Sequence, residues 1–308
     1  MPIPSDTLQL SQLSDPPRLQ GKGKSKPPLM LIADYDFYDI SDLLNEEQLG
    51  EYRRDIKIDE AKARLRKFFE DRCENVFYMQ QLEVFFEKEF FHWITGKAVN
   101  ELVATGFLHA EEVPLLGFTR VKFVFHHKHR YYKRQIKRCI EVIRQYSDPN
   151  IAIACGRQAE VLFFNALVNR GFLSRGQDTN EYRGKRWTWT EHRLDFIIEK
   201  DGVAYGTEVK NTLGYIPREE LEVKLDMCDC LRLKPLFIMR ASSKDYNHKV
   251  IKRGGYAMIF EVQVYPFGQD GLVRRIRNIL GLPVDCPRAI PEGIIDRFMR
   301  WHEKTKNM

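Results

Sequence analysis

From about residue 57 apolar positions recur at helical spacing, with Ala61, Leu65, Phe68 and Phe69 on one stripe before a break at 73–75. A short apolar segment, 76–79, leads into a second helix over about 80–88. A third, over 91–104, ends at Gly106, a residue suited to a helix C-terminus. Two strand-like stretches follow, 107–116 and 118–125, joined at Gly117, and then a long basic helix over 131–146. In the second half, Ala159, Leu162, Phe163, Ala166 and Leu167 fit one helix stripe within 156–172. Glu160 lies on or beside that buried side, an awkward place for an unpaired charge.

Asp201-Gly202 sits between alternating apolar stretches and predicts a type I′ hairpin. With those residues as the turn, Lys200 faces Val203 and Asp195 lies opposite Glu208. The register puts Leu194, Phe196, Ile198, Val203, Tyr205 and Val209 on a core face. Arg193, Asp195, Glu199, Gly206, Glu208 and Lys210 fall on the other. A helix with Pro217 in its first turn follows, with Leu221, Leu225, Cys228 and Leu231 along one stripe. A strand at 235–240, a helix at 242–253 and a strand at 256–265 complete the pattern.

Two carboxylates directly opposite on one sheet face repel, their Cβ atoms being only about 4.5–5.5 Å apart. A hard divalent cation, Mg²⁺ or Mn²⁺, binds oxygen ligands of this kind. Lys210 projects from the same face as Glu208 and can neutralise charge on a phosphoryl transition state. The competing reading is a charge ladder in which Arg193 and Lys210 merely screen the acids.

The 308 residues are 43% hydrophobic and 30% charged, an ordinary globular composition that allows about two domains. No apolar run approaches the roughly 18 residues that span a bilayer, and the N-terminus lacks the layout of a signal peptide. Six cysteines without a CxxC pair indicate neither a disulfide scaffold nor a zinc ribbon, so a cytoplasmic, reducing setting is expected. The net charge of +6 is uneven. Residues 1–117 hold 14 Lys/Arg against 21 Asp/Glu, residues 118–145 hold nine against one, and residues 146–308 hold 26 against 21. The middle run contains Arg120, Lys122, Lys128, Arg130, Lys133, Arg134, Lys137 and Arg138, interleaved with aromatic residues, and predicts a grip on phosphates. His126, His127 and His129 would alternate faces on a strand, which disfavours a metal site there. In the acidic stretch Asp34, Asp36, Asp39 and Asp42, helix capping and solvation outweigh a metal site, because EF-hand spacing is missing.

The order helix, strand, helix, helix, hairpin over about 57–128 resembles the winged-helix family. That resemblance implies a helix in the DNA major groove, led by His92, Trp93, Thr95, Lys97 and Asn100, with Lys97 and Asn100 reaching phosphates or bases. A helical acid, then Asp195, twelve intervening residues and Glu208-Val-Lys210 resembles the PD-(D/E)xK nuclease superfamily over about 150–268. The nearest flavour is that of Holliday-junction resolvases and Mrr-like restriction endonucleases, although Leu194 stands where the motif name expects Pro. The resemblance implies that Asp195 and Glu208 ligate Mg²⁺ or Mn²⁺, that Glu160 is a further metal or water ligand, and that Lys210 assists the nucleophile. Lys224 is a candidate for the polar residue that some of these families add on the next helix.

The expected fold is α/β, a restriction-endonuclease-like mixed sheet flanked by helices, with a mainly helical winged-helix-like N-terminal domain. The expected divisions are a flexible leader (1–30), a winged-helix-like domain (31–128), a basic connecting helix (129–149), a nuclease-like domain (150–268) and a basic extension (269–308). The expected function is metal-dependent DNA hydrolysis, with DNA as partner and homodimerisation by analogy. The alternatives are a nuclease-fold nucleic-acid-binding protein that does not cut and an adaptor with protein partners.

Overall fold

The computed structural model describes residues 56–306 apart from 116 and 118. The expected leader, the acidic stretch at Asp34–Asp42 and the start of the expected first domain lie outside the described residues.

The first body follows the apolar pattern closely. Helix α1 (Ile56–Glu70) leads to strand β1 (Val76–Tyr78), helices α2 (Met79–Phe86) and α3 (His92–Ala104), and strands β2 (Leu108–Pro114) and β3 (Arg120–His126). The strands form a sheet in the order β1-β3-β2, antiparallel throughout. Ala61, Leu65 and Phe69 of α1 pack with Phe77, Leu82, Ala98, Leu102 and Val124 into one buried cluster. Helix α4 (Tyr132–Tyr146) follows, with Ile136, Cys139, Ile140, Ile143 and Tyr146 turned inward against β1 and β3.

The second body is built on α5 (Pro149–Val168), which starts earlier than its stripe indicated because Asp148 caps it and Pro149 occupies its first turn. Strand β4 (Leu173–Thr179) and the short hairpin β5 (Glu181–Tyr182) and β6 (Lys185–Arg186) come next. The hairpin β7 (Leu194–Lys200) and β8 (Val203–Lys210) is followed by α6 (Arg218–Leu231), β9 (Lys234–Met239), α7 (Lys244–Lys252) and β10 (Tyr256–Ile259). The main sheet is mixed, in the order β10-β9-β8-β7-β4; β8, β9 and β10 are parallel, and β4 and β7 antiparallel to their neighbours. Asp201 and Gly202 both have positive φ (51° and 77°), as a type I′ turn requires, and Phe196 pairs with Thr207 in the expected register.

Three departures from the expected pattern appear. Strand β4 is an edge strand with a bulge and a largely polar sequence, so it carries no period-2 apolar signal. The expected strand over 256–265 breaks at Glu261, whose φ of 64° ends β10, and resumes as β11 (Gln263–Val264) paired to β12 (Val284–Asp285). Leu194 leaves the face of Phe196 and packs with Trp187, Ile197 and Cys228, because the paired register stops at Phe196 and Thr207. Helix α5 is long and apolar enough to cross a membrane by length and composition alone, though Arg157 and Glu160 interrupt its apolar run. Its Ala159, Phe163 and Leu167 are instead buried on the sheet.

Both faces of the sheet are covered. Helix α5 and the C-terminal helix α9 (Glu292–Thr305) bury Phe196, Ile198, Tyr205 and Val209 on one side. Helices α6 and α7 cover the other, so the acidic face of the hairpin is not a solvated ladder. At Gly206 an added Cβ would lie 2.7 Å from Cys228 Sγ, so α6 can sit this close only over glycine. Helix α9 is tied to the hairpin turn: His302 hydrogen-bonds to Tyr205 Oη at 2.7 Å and approaches Asp201 at 3.3 Å, and Lys306 pairs with Asp201 at 3.2 Å. Helix α8 (Asp270–Arg275), continued by a π-helical turn to Leu280, packs on α4.

The two bodies meet through Arg240, which is 1% exposed. Its guanidinium pairs bidentately with Glu87 (2.8 and 2.6 Å) and donates to the carbonyls of Thr212 and Leu213. Phe91 stacks on Tyr215 beside it. Arg240→Ala should cost about 3–5 kcal/mol, because Glu87 is left uncompensated. In urea unfolding, the Glu87→Ala/Arg240→Ala double variant should recover part of that loss.

Candidate active site

Asp195 and Glu208 stand where β7 and β8 part. The ladder ends one residue short of them, and the Asp195 carboxylate accepts the Val209 N–H at 2.6 Å. A side chain thus takes a backbone donor near the end of the pair, which fixes the Asp195 rotamer. On the neighbouring strand Glu208 is 2% exposed. Its two oxygens are held separately: Oε2 by the Lys224 ammonium at 2.5 Å and Oε1 by the Lys210 ammonium at 3.1 Å. Lys224, 5% exposed on the inward stripe of α6, also donates to the carbonyl of Arg193. Lys210 pairs in addition with Glu220, in the first turn of α6, at 2.5 Å.

The charges respond to this crowding. Burial, then the charge of Glu208, pushes the Asp195 carboxyl up to about 8, and neither Lys224 nor the Val209 N–H offsets this. Burial and Glu208 also raise the Glu160 carboxyl, with Asp178 adding to the effect. Burial opposes the Lys210 ammonium, but Glu208, Glu220 and Asp195 outweigh it and its pKa rises. Lys210 is therefore a firmly protonated donor.

The structure thus brings Asp195, Glu208, Lys210 and Lys224 together, with Glu160 within electrostatic reach from α5. The oxygens of Asp195, Glu208 and Glu160 are not all within 4.8 Å of one another. Among the described residues the trio that meets this limit is Asp201, His302 and Glu303, where Lys306 already bridges the two acids. Asp195 and Glu208 are the two carboxylates here that could hold a hard cation, which commonly uses one or two carboxylates and keeps several waters. Glu160 fits a position reached through water.

Sequence reasoning missed three contributors. Glu220 could have been noticed only as one of two acids opening a helix. Asp178, paired with Arg193 at 3.5 Å, lies on the unrecognised edge strand β4. Asn211, buried next to Lys210, donates to the carbonyls of Cys155 and Val264 and accepts from the Val264 N–H. It thereby fixes the start of α5 and β11 to the end of β8.

The basic run lies on the other body. Lys128, Arg130, Lys133, Arg134, Lys137 and Arg138 are exposed, and none forms an ion pair among the described residues. The four on α4 share its outward side. Arg120 pairs with Glu112 at 3.2 Å, Lys122 donates to the exposed Asn100 at 2.7 Å, and Lys97 is half-buried on α3. His126 and His129 are buried and His127 is exposed against the Phe107 carbonyl, so the three do not gather as a metal site.

No family model and no solved structure matches the chain. A Mycoplasma genitalium protein named "Putative phosphatase/phosphodiesterase" is 27% identical over 117 residues, 38% of this chain and 34% of that protein. The matched part spans about a third of the relative's length.

The raised Asp195 carboxyl gives a signed pH effect. The folded state holds its proton up to about 8, whereas an unfolded Asp releases it near the ordinary 3.8. Stability from this group is complete below about 4 and is lost as pH rises toward 8. In chelator, Asp195→Asn should raise the melting temperature progressively over that window, by up to a few kcal/mol of stability. A gain independent of pH would contradict the assignment.

Proposed function

We propose that this chain is a metal-dependent nuclease of the PD-(D/E)xK type, hydrolysing phosphodiester bonds in DNA as an endonuclease with Mg²⁺ or Mn²⁺. The observation that carries the reading is the convergence of Asp195, Glu208 and Lys210 where the β7–β8 hairpin opens, with Glu160 facing them from α5. The donor set suits a hard cation: carboxylate oxygens gathered in a buried site, with the Asp195 carboxyl pushed up to about 8 by burial and by Glu208. Such a cation, when bound, polarises a phosphoryl oxygen and makes a water more acidic. Lys210, held protonated by Glu208 and Glu220, offers its ammonium to the charge that develops on the phosphoryl oxygens. Lys224 holds one oxygen of Glu208 in place and keeps the Arg193 backbone beside it.

Other features support the same reading. The mixed sheet lies between helices on both faces, the arrangement expected of the nuclease superfamily. The partial relative's name, a phosphatase/phosphodiesterase, is consistent with hydrolysis of phosphoester bonds. The first body has the element order of a winged helix-turn-helix, in which α3 would enter a groove and Lys97 and Asn100 would reach the DNA. Lys128 to Arg138 would hold the backbone, with Arg120 and Lys122 adding contacts once released from Glu112 and Asn100. All six cysteines are unpaired, which fits a cytoplasmic setting. Two active sites in a homodimer would serve two strands, by analogy with the fold.

One observation favours the second reading, a nucleic-acid-binding protein that does not cut. Both oxygens of Glu208 are already neutralised by lysines. The two readings separate in a panel of labelled linear, branched and single-stranded DNA with Mg²⁺ and Mn²⁺. Asp195→Ala and Lys210→Ala should each abolish cleavage while binding stays within a few-fold of wild type. A wild type that binds every substrate and cuts none would establish the second reading. Replacing Arg130, Lys133, Arg134, Lys137 and Arg138 with Gln should weaken binding and flatten its salt slope, by about 0.9 for each duplex phosphate contact removed.

A further inference from the structure

Between β4 and β7 the chain makes a detour that the proposed hydrolysis does not use. The β5–β6 hairpin turns through Arg183 and Gly184, both with positive φ, and runs on to Trp187, Thr188 and Trp189. Trp187 is 2% exposed, packed with Leu194, Met227 and Cys228, and its indole N–H donates to Thr190 Oγ1 at 2.9 Å. The Asn180 amide and the Trp187 backbone close the hairpin base. Trp189 is the reverse: it rests against Trp187, with ring centroids 4.8 Å apart, yet is 77% exposed. The Thr190 hydroxyl also bonds the His192 ring and backbone N–H, so the segment is a fixed turn.

That turn feeds directly into the site. Arg193 follows it, its carbonyl bonded to the same Lys224 ammonium that holds Glu208. Trp189 precedes Arg193 by four residues, a reach of at most about 14 Å. This is roughly four base steps at about 3.4 Å each. Within six residues of it along the chain are Arg183, Arg186 and Arg193, with 68%, 65% and 52% of their side chains in solvent although each also pairs with an acid. A flat indole on a rigid base, with exposed cations close to it in the chain and within a few nucleotides' reach of the proposed point of cleavage, matches what an unstacked nucleobase and its phosphates require. Base pairs inside continuous duplex offer no free face to it.

We propose that Trp189 is a stacking platform for an unpaired base. The site would then take nucleic acid that carries a single-stranded or branch-point nucleotide next to the scissile phosphate, in preference to continuous duplex. This rests on the phosphodiester-hydrolase reading above. To test it, the full chain is titrated in EDTA with a labelled single strand and with a duplex of equal length, as wild type, Trp189→Ala and Trp189→Phe. The ratio of duplex Kd to single-strand Kd should fall about fivefold or more in Trp189→Ala, since base–aromatic stacking is worth at least that much. Trp189→Phe should keep most of the ratio. An unchanged ratio in Trp189→Ala, or an equal fall in Trp189→Phe, overturns the platform. Binding is read without divalent ions, so the result is independent of cleavage. A cutting wild type with an unchanged ratio removes the platform alone, whereas a lowered ratio with no cleavage by wild type removes the hydrolase reading and leaves the platform.

Discussion

Burial of the Glu208 carboxylate is the constraint around which the second body is arranged. A carboxylate at 2% exposure is tolerated only with compensation, and here it comes from two ammonium groups on different elements. Lys210 arrives from the same strand, Lys224 from α6. The need for Lys224 fixes how closely α6 must lie over the hairpin, and Gly206 is what allows that approach. Glu220 then balances Lys210, and the Arg193 carbonyl takes a further hydrogen bond of Lys224. Sheet, helix and loop are thus held in register by one charge.

The same arrangement separates two roles that look alike in composition. Charge on α4 lies outside an apolar core and faces water. Charge around Glu208 lies inside, where each group is committed to a partner. Between them the Arg240–Glu87 pair and the Phe91–Tyr215 stack give the two bodies a common frame. A strand held on the outer surface would therefore meet a site whose orientation is set by packing, not by a free linker.

Much of this was legible in the chain. The hairpin register followed from one dipeptide and a period of two and held from Lys200–Val203 to Phe196–Thr207, one residue short of Asp195 and Glu208. The first body's elements were likewise visible in their apolar periods. What was hidden has physical causes. Strand β4 is polar because it lies at a sheet edge, and Glu261 breaks the last strand through a backbone conformation that no sequence period reports. Leu194 changes sides because the strands part there, and alternation assumes that they do not. The covering of the acidic face by α6 is a tertiary fact. Lys224 was noticed on its helix stripe, but its grip on Glu208 depends on a distance that spacing cannot give.

Helix α9 is the last described element to be synthesised, yet it closes one whole face of the sheet and holds the hairpin turn through His302 and Lys306. Until residues 292–305 have left the ribosome, Tyr205 lacks its hydrogen-bond partner and the apolar face made by Phe196, Ile198 and Tyr205 lacks half its cover. Chains grow at roughly 5–20 residues per second, and exposed apolar sheet faces favour aggregation. The second body is therefore exposed until α9 has emerged, and its maturation waits on that helix rather than on completion of strands β7 and β8.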